Sequence, residues 1–232
     1  MAANPLACAV CPVRDRAACS ALDEQQRSDL TRLGMHRSLK RGDVLFHAGD
    51  DGDHCATLIS GALKIAQVDA DGHEHILALI HPAGFVGELF APVAHHDIVA
   101  LSDSFLCMFP RRQYEELIER YPALGRALLR RSSEDLLESR ALMALMTGRT
   151  ARQRVAGFLL AMANAASDSP CHPAARFDLP LTRGEIAALL GLTIETVSRQ
   201  LTKMETDRVI KRSGARGIDL LDAARLRSLA AA

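Results

Sequence analysis

From Leu39 to Phe109 the chain alternates short apolar runs with glycine and acidic breaks: VLFHAG, ATLISGALKIAQV, HILALI, FVGEL, DIVAL and SFLCMF. Runs this short and this regularly spaced predict the antiparallel strands of an all-β roll or barrel. Asp71-Gly72 stands between two alternating runs and predicts a hairpin tip. Outside this region the apolar period lengthens to that of helices. One helix is predicted from Asp23 to about Leu33, a second over 111–120, and a longer third, opened by Pro122, to about Met146. On the long helix Leu129, Leu136 and Met143 recur at seven-residue spacing, as in a coiled-coil seam, while the partner positions are Ser132, Ser139 and Met146. This half-polar seam predicts a dimer interface through Leu129, Leu136, Met143 and Met146. The alternative is a helix packed on its own β-roll.

The most detailed pattern lies in 181–204, LTRGEIAALLGLTIETVSRQLTKM. Thr182 and Glu185 form a Ser/Thr-x-x-Glu capping box that opens one helix, and Gly191 ends it with the left-handed backbone of a sharp turn. Thr193 caps a second helix. On it Ile194, Val197, Leu201 and Met204 fall on one face, and Glu195, Ser198, Arg199 and Thr202 on another. Two short helices, a glycine turn and a polar stripe opening the second helix predict a helix-turn-helix that reads double-stranded DNA in the major groove. Arg199 can fork onto guanine O6 and N7, Glu195 can accept from cytosine N4, and Ser198 can touch a base edge or methyl group. An ordinary helical hairpin with a solvated face is the competing reading. The caps, the turn and the stripe argue against it together. Ahead of this motif, 150–161 predicts a helix and 165–175 a loop. Beyond it, VIKRSGARGIDLLD predicts a hairpin wing, and 221–232 a terminal helix. The expected architecture is α+β. A cysteine-rich segment (1–20) precedes an antiparallel, jelly-roll-like β-roll sensor domain (21–110). Connecting and dimerisation helices follow (111–147), then a winged-helix DNA-binding domain (148–232).

Composition changes this picture little. Apolar residues make up 48% and charged ones 24% of 232 residues, the balance of an ordinary globular chain. Lysine plus arginine and aspartate plus glutamate number 28 each, so the molecule as a whole is no polyanion binder. The asymmetry is local: Arg199, Lys203, Arg208, Lys211, Arg212 and Arg216 face only Glu205 and Asp207 within 199–216. Thr193, Thr202, Lys203, Lys211 and Arg212 therefore join the expected DNA contacts. No apolar stretch approaches the roughly 18 residues of a membrane helix, and no secretory signal opens the chain, which points to the cytoplasm.

Six cysteines need placing: Cys8, Cys11, Cys19, Cys55, Cys107 and Cys171. The spacing Cys8-x2-Cys11-x7-Cys19 in a loop-forming segment suggests metal more than disulfide, with a fourth ligand from elsewhere. Four thiolates suit an iron–sulfur cluster or tetrahedral zinc. Cys55 at a strand start and Cys171 in a loop read as structural or bystander residues. A thiol oxidoreductase built on Cys8-x2-Cys11 is disfavoured, since Pro12 follows directly and no βαβ pattern is present. No Ser/His/Asp set, carboxylate pair or phosphate loop supports another enzyme. Of nine histidines, only His73/His75 and His95/His96 are close pairs, and both pairs read as solvated turn residues rather than haem ligands.

A β-roll, a long helix and a C-terminal winged helix together resemble the cyclic-AMP receptor/FNR superfamily of bacterial transcription regulators, from Leu22 onward. Glu195-Thr196-Val197-Ser198-Arg199 looks like the E-T-x-S-R of its FNR branch. The resemblance implies that Glu195, Ser198 and Arg199 read TTGA(T/C) half-sites arranged as an inverted repeat. That branch carries an N-terminal Cys-x2-Cys-x(5–7)-Cys and a fourth cysteine late in the roll, where Cys107 stands. The resemblance thus implies an oxygen-labile [4Fe-4S] cluster on Cys8, Cys11, Cys19 and Cys107, and a homodimer that binds DNA when oxygen is scarce. A cluster-free regulator, constitutive or controlled by thiol oxidation, is the alternative. Gly87-Glu88-Leu89 resembles the start of the superfamily's cyclic-nucleotide cassette, but Ile98 and Val99 occupy the places of its Arg-Ser pair, so cyclic AMP is not an expected ligand. RNA polymerase is an expected partner, met by surface loops of the roll near His95-His96 or Asp50–Asp53.

Overall fold

The computed structural model describes residues 8–72, 74–147, 150–167, 172–214 and 216–231. His73 and Cys171 lie outside the described residues. The chain divides into two compact units, 1–137 and 138–232.

In the first unit, two 3₁₀ turns, Cys8–Val10 and Ala18–Ala21, precede α1 (Glu24–Leu33). Asp23 caps α1 and exchanges bonds with Gln26, a capping box. Eight strands follow: β1 (Met35–Leu39), β2 (Val44–Phe46), β3 (His54–Ser60), β4 (Leu63–Val68), β5 (Glu74–Ile80), β6 (Phe85–Val86), β7 (Asp97–Ala100) and β8 (Ser104–Pro110). They form two antiparallel sheets, ordered β1-β8-β3-β6 and β2-β7-β4-β5, around a core that includes Leu58, Leu63, Ile98, Leu106 and Met108. The apolar run 56–68 is two strands. Gly61, at φ 95°, turns the chain where a Cβ would lie 2.6 Å from the Asp103 carbonyl oxygen. Gly72, at φ 83°, forms the predicted β4–β5 tip. The first strand has no apolar run to announce it. Only Leu39 of β1 is buried, because β1 is an edge strand held by backbone pairing to β8.

The helices α2 (Arg111–Arg120) and α3 (Pro122–Met146) match their predicted bounds. Tyr114, Leu117, Leu124 and Leu128 bury α2 and the start of α3 against Leu22, Leu30, Cys55 and Phe109. Farther along α3 the apolar stripe is uncovered in the single chain. Leu129 is 70% exposed, and Leu136, Leu137, Met143 and Met146 are exposed too.

In the second unit, α4 (Ala151–Ala165) runs four residues past the predicted end, because Met162 and Ala163 are buried. Ala165 thus belongs to the helix rather than the loop. Then come β9 (Arg176–Asp178), α5 (Arg183–Leu190), α6 (Ile194–Thr206), β10 (Ile210–Ser213), β11 (Gly217–Leu220) and α7 (Ala223–Ala231). The predicted wing hairpin β10–β11 gains a third strand, β9, paired to β11. Val155, Phe158, Leu159, Leu190, Val197, Ile210 and Leu226 are fully buried in this unit, each contributing about 1.5–3 kcal/mol by leaving water.

Candidate DNA-reading surface and cysteine site

The helix-turn-helix is built from its own caps. Thr182 Oγ1 accepts from the Glu185 N–H at 3.2 Å, and Glu185 Oε2 accepts from the Thr182 N–H at 2.7 Å. Gly191 adopts φ 60°, ψ 44° and ends α5. Thr193 Oγ1 accepts from the Thr196 N–H at 3.3 Å and opens α6. On α6, Val197, Leu201 and Met204 are buried, whereas Ile194, expected on the same face, is mostly exposed at the helix start. A residue that sequence reasoning missed, Arg154 on α4, donates from Nη1 to the Leu190 carbonyl at 3.0 Å. Its charge sits at the negative end of α5 and secures the turn.

Ser198, Arg199, Thr202 and Lys203 line one open concavity of α6 with Thr206 and Asp207. Glu195 is fully exposed on the first turn. Its carboxyl is held below its ordinary value by a helix-start backbone N–H and by the Thr193 hydroxyl, so it remains an acceptor. The two acidic residues of the basic segment are each engaged. Asp207 accepts from Arg152 Nη2 at 2.6 Å. Glu205 accepts from Arg212 three times, from its backbone N–H at 3.0 Å, Nε at 2.7 Å and Nη2 at 2.5 Å. Arg212 is thus turned onto α6 as a clamp on the wing. Lys203 and Lys211 stay exposed, and Arg199 Nη2 donates to the Thr196 hydroxyl at 3.5 Å.

The first unit gathers cysteines. Cys8, Cys11, Cys19 and Cys107 line one cavity, walled by Leu30, Ile59, Phe109 and Tyr114. Cys107 enters from β8, opposite His36 of β1 and Thr57 of β3. Burial, and then charge on Cys8, Cys19 and Cys11, push the Cys107 thiol up to about 12. Burial, Cys8 and Cys11 push Cys19 up to about 11, while the Arg27 guanidinium pulls the other way. Burial beside neighbouring thiols thus raises the cost of ionising Cys107 and Cys19. Gly34 leaves room above them, for a Cβ there would lie 3.3 Å from Cys107 Sγ and 3.2 Å from the Phe109 ring. Among the described residues, no three Cys, His, Asp or Glu side chains are grouped to hold a single metal ion. Cys55 is fully buried on β3 and does not line the cavity.

Elsewhere in the roll, Glu88 accepts from the His95 backbone N–H at 3.1 Å and faces the rings of His95 and His96. These histidines are partly to well exposed, as expected, but they are anchored to a carboxylate. Ile98 is buried in the core of the roll. No helix among the described residues is long and apolar enough to cross a membrane.

Comparison with known proteins assigns both units. Residues 36–121 match the cyclic nucleotide-binding domain family, and residues 153–229 the Crp-like helix-turn-helix domain family. The transcriptional activator protein FnrL of Cereibacter sphaeroides is 35% identical over 226 residues, 94% of this chain and 90% of that protein. The nitrogen fixation regulation protein FixK of Bradyrhizobium diazoefficiens is 31% identical over 232 residues, covering 97% of this chain and 94% of its own. The solved structure of FixK2 from Bradyrhizobium japonicum superposes with a TM-score of 0.78 at 28% identity, covering 86% of this chain and 98% of that one. Capped reading helix, three-stranded wing, β-roll and these likenesses together show that the chain belongs to the CRP/FNR family of DNA-binding transcription regulators.

Proposed function

We propose that this chain is an oxygen-responsive regulator in the cytoplasm, in which Cys8, Cys11, Cys19 and Cys107 hold a [4Fe-4S] cluster. The observation that carries the reading is the convergence of those four thiols on one half-buried cavity, three from the N-terminal turns and one from β8. A cubane cluster takes each thiolate on a different iron, so its ligands surround a body rather than meet at one ion. A zinc ion would need its four donors within about 2.3 Å of a single point. Four cysteines lining one cavity suit such a cluster, and iron and sulfide analysis separates it from tetrahedral zinc. When bound, the cluster supplies an oxygen-labile redox centre. The chain's own groups serve it plainly: Arg27 offsets negative charge at Cys19, Gly34 leaves space beside Cys107, and Leu30, Ile59 and Phe109 supply an apolar wall.

The same proposal makes the protein a homodimer through Leu129, Leu136, Met143 and Met146, whose exposure in the single chain leaves apolar surface for a second copy. Ser132 and Ser139 in the seam keep that association weak enough to be conditional. A dimer would set two α6 helices roughly 34 Å apart to read inverted TTGA(T/C)-type half-sites. Glu195, Ser198 and Arg199 would contact bases, and Thr193, Thr202, Lys203 and Lys211 the backbone. Arg212 would act by placing the wing. RNA polymerase would be the protein partner. Cyclic AMP would not bind, since Ile98 and Val99 offer its phosphate no donor. Purification under nitrogen should give a brown protein with about four iron and about four sulfide per chain. This form should bind the inverted repeat, and air should bleach it and weaken binding. A colourless, iron-free product that binds the same DNA equally well in air would overturn the proposal.

A further inference from the structure

The helix α1 covers the cysteine cavity with the face that carries Arg27 and Thr31, one turn apart. Thr31 Oγ1 lies 2.8 Å from the Arg27 carbonyl oxygen and 3.0 Å from Cys8 Sγ. A hydroxyl has one proton to donate and lone pairs with which to accept, whereas a carbonyl can only accept. The Thr31 proton therefore points at Arg27, and the Cys8 thiol is the donor in the second contact. That arrangement holds only while Cys8 keeps its proton. A cysteine that ligates metal is a thiolate. Two acceptors would then face each other across 3.0 Å unless the Thr31 hydroxyl turned. Turning costs the Arg27 carbonyl little, because α-helical geometry already gives it the Thr31 backbone N–H.

We propose that Thr31 is a positioning residue for Cys8 as a ligand: on ligation its hydroxyl leaves the Arg27 carbonyl and donates to Cys8 Sγ. The inference rests on the cluster reading above. Its proton balance is simple. The Cys8 proton leaves to solvent, and Thr31 keeps its own proton and redirects it. A hydrogen bond donated to a ligating sulfur favours the more negative state of the centre, so Thr31 raises the reduction potential. It also ties the N-terminal turn to α1 when the thiolate is in place.

The test compares the full-length protein with Thr31→Val, which keeps the branched shape without the hydroxyl, and Thr31→Ser, which restores the hydroxyl. All three are purified under nitrogen, their iron and sulfide are counted, and their reduction potentials are measured by mediated titration. At equal iron content, Thr31→Val should shift the reduction equilibrium about threefold toward the oxidised form, near 28 mV at about 59 mV per tenfold. Its absorbance should also bleach faster in air, and Thr31→Ser should restore both values. Wild-type potential in Thr31→Val at equal iron would overturn the role of Thr31 and leave the cluster reading standing. An iron-free wild type would overturn both. If Thr31→Val holds no iron, Thr31→Ser decides: wild-type iron and potential uphold the hydroxyl's role, and their loss overturns it.

Discussion

The clamp between Glu205 and Arg212 ties the reading helix to the wing, and its strength can be worked from its geometry. The Glu205 carboxylate accepts from the Arg212 backbone N–H at 3.0 Å and from the guanidinium at 2.7 and 2.5 Å. Fully desolvated charge-assisted bonds contribute about 1.5–3 kcal/mol. Fully exposed pairs contribute about 0.2–1 kcal/mol. Here the side chains are 27% and 33% exposed, between those limits, so the expected coupling is about 1–1.5 kcal/mol. A double-mutant cycle of Glu205→Gln and Arg212→Met isolates it. The assay is hydrogen exchange of the amides in 205–220 of the full chain, in which Glu205→Gln should open about tenfold more often, at about 1.4 kcal/mol per tenfold. The sign of the pH dependence is fixed as well. Hydrogen bonds from Arg212 hold the Glu205 carboxyl below its ordinary value of 4.5. The clamp is therefore fully present above that value and lost as pH falls through the depressed one, where wild type and Glu205→Gln should converge. A coupling below about 0.3 kcal/mol, or equal opening at neutral pH, would refute the clamp.

Arg199→Ala should cost roughly 1–3 kcal/mol in binding and relax preference at one base pair, while Lys211→Ala should weaken all sequences alike and lower the salt slope by about one; equal losses for Arg199→Ala on specific and random DNA would contradict base reading. Leu136→Glu should shift sedimentation toward the monomer and abolish binding to the inverted repeat while leaving the circular dichroism of the chain intact. Gly34→Val should crowd Cys107 and Phe109 and reduce iron bound under nitrogen, as judged by iron assay, without unfolding the β-roll. In the metal-free protein, burial lifts the Cys55 and Cys107 thiols to about 12 and Cys19 to about 11, from an ordinary 9.0. Their folded forms keep protons that the unfolded chain releases, so the midpoint of urea unfolding should hold steady up to pH 9 and fall above it.

Much of the second unit is set by adjacent residues. The Thr182–Glu185 box, the Gly191 turn and the Thr193 cap form hydrogen bonds within four residues of each other, and the structure reproduces each one. The long helix and the strands of the roll follow from apolar periods that need no distant partner to be read. Strand β1 and strand β9 escaped that reading because each exists through pairing with a strand far along the chain, β8 and β11 respectively. Their side chains carry little pattern of their own. Ile194 shows the opposite case, a position whose period says buried but whose place at the helix start leaves it exposed.

What the sequence alone determined is therefore local: most of the helices and strands, the caps and the turn of the helix-turn-helix, and the polar stripe that opens its second helix. Tertiary structure decided the rest. Only the packing of the N-terminal turns over β8 puts Cys107 in the same cavity as Cys8, Cys11 and Cys19. Arg154 at the end of α5, Arg212 on Glu205 and Thr31 beside Cys8 arise the same way. Spacing along a chain encodes periodicity and capping because those bonds close over a few residues. A contact between distant segments depends on how two folded elements pack, and no short stretch of sequence contains it.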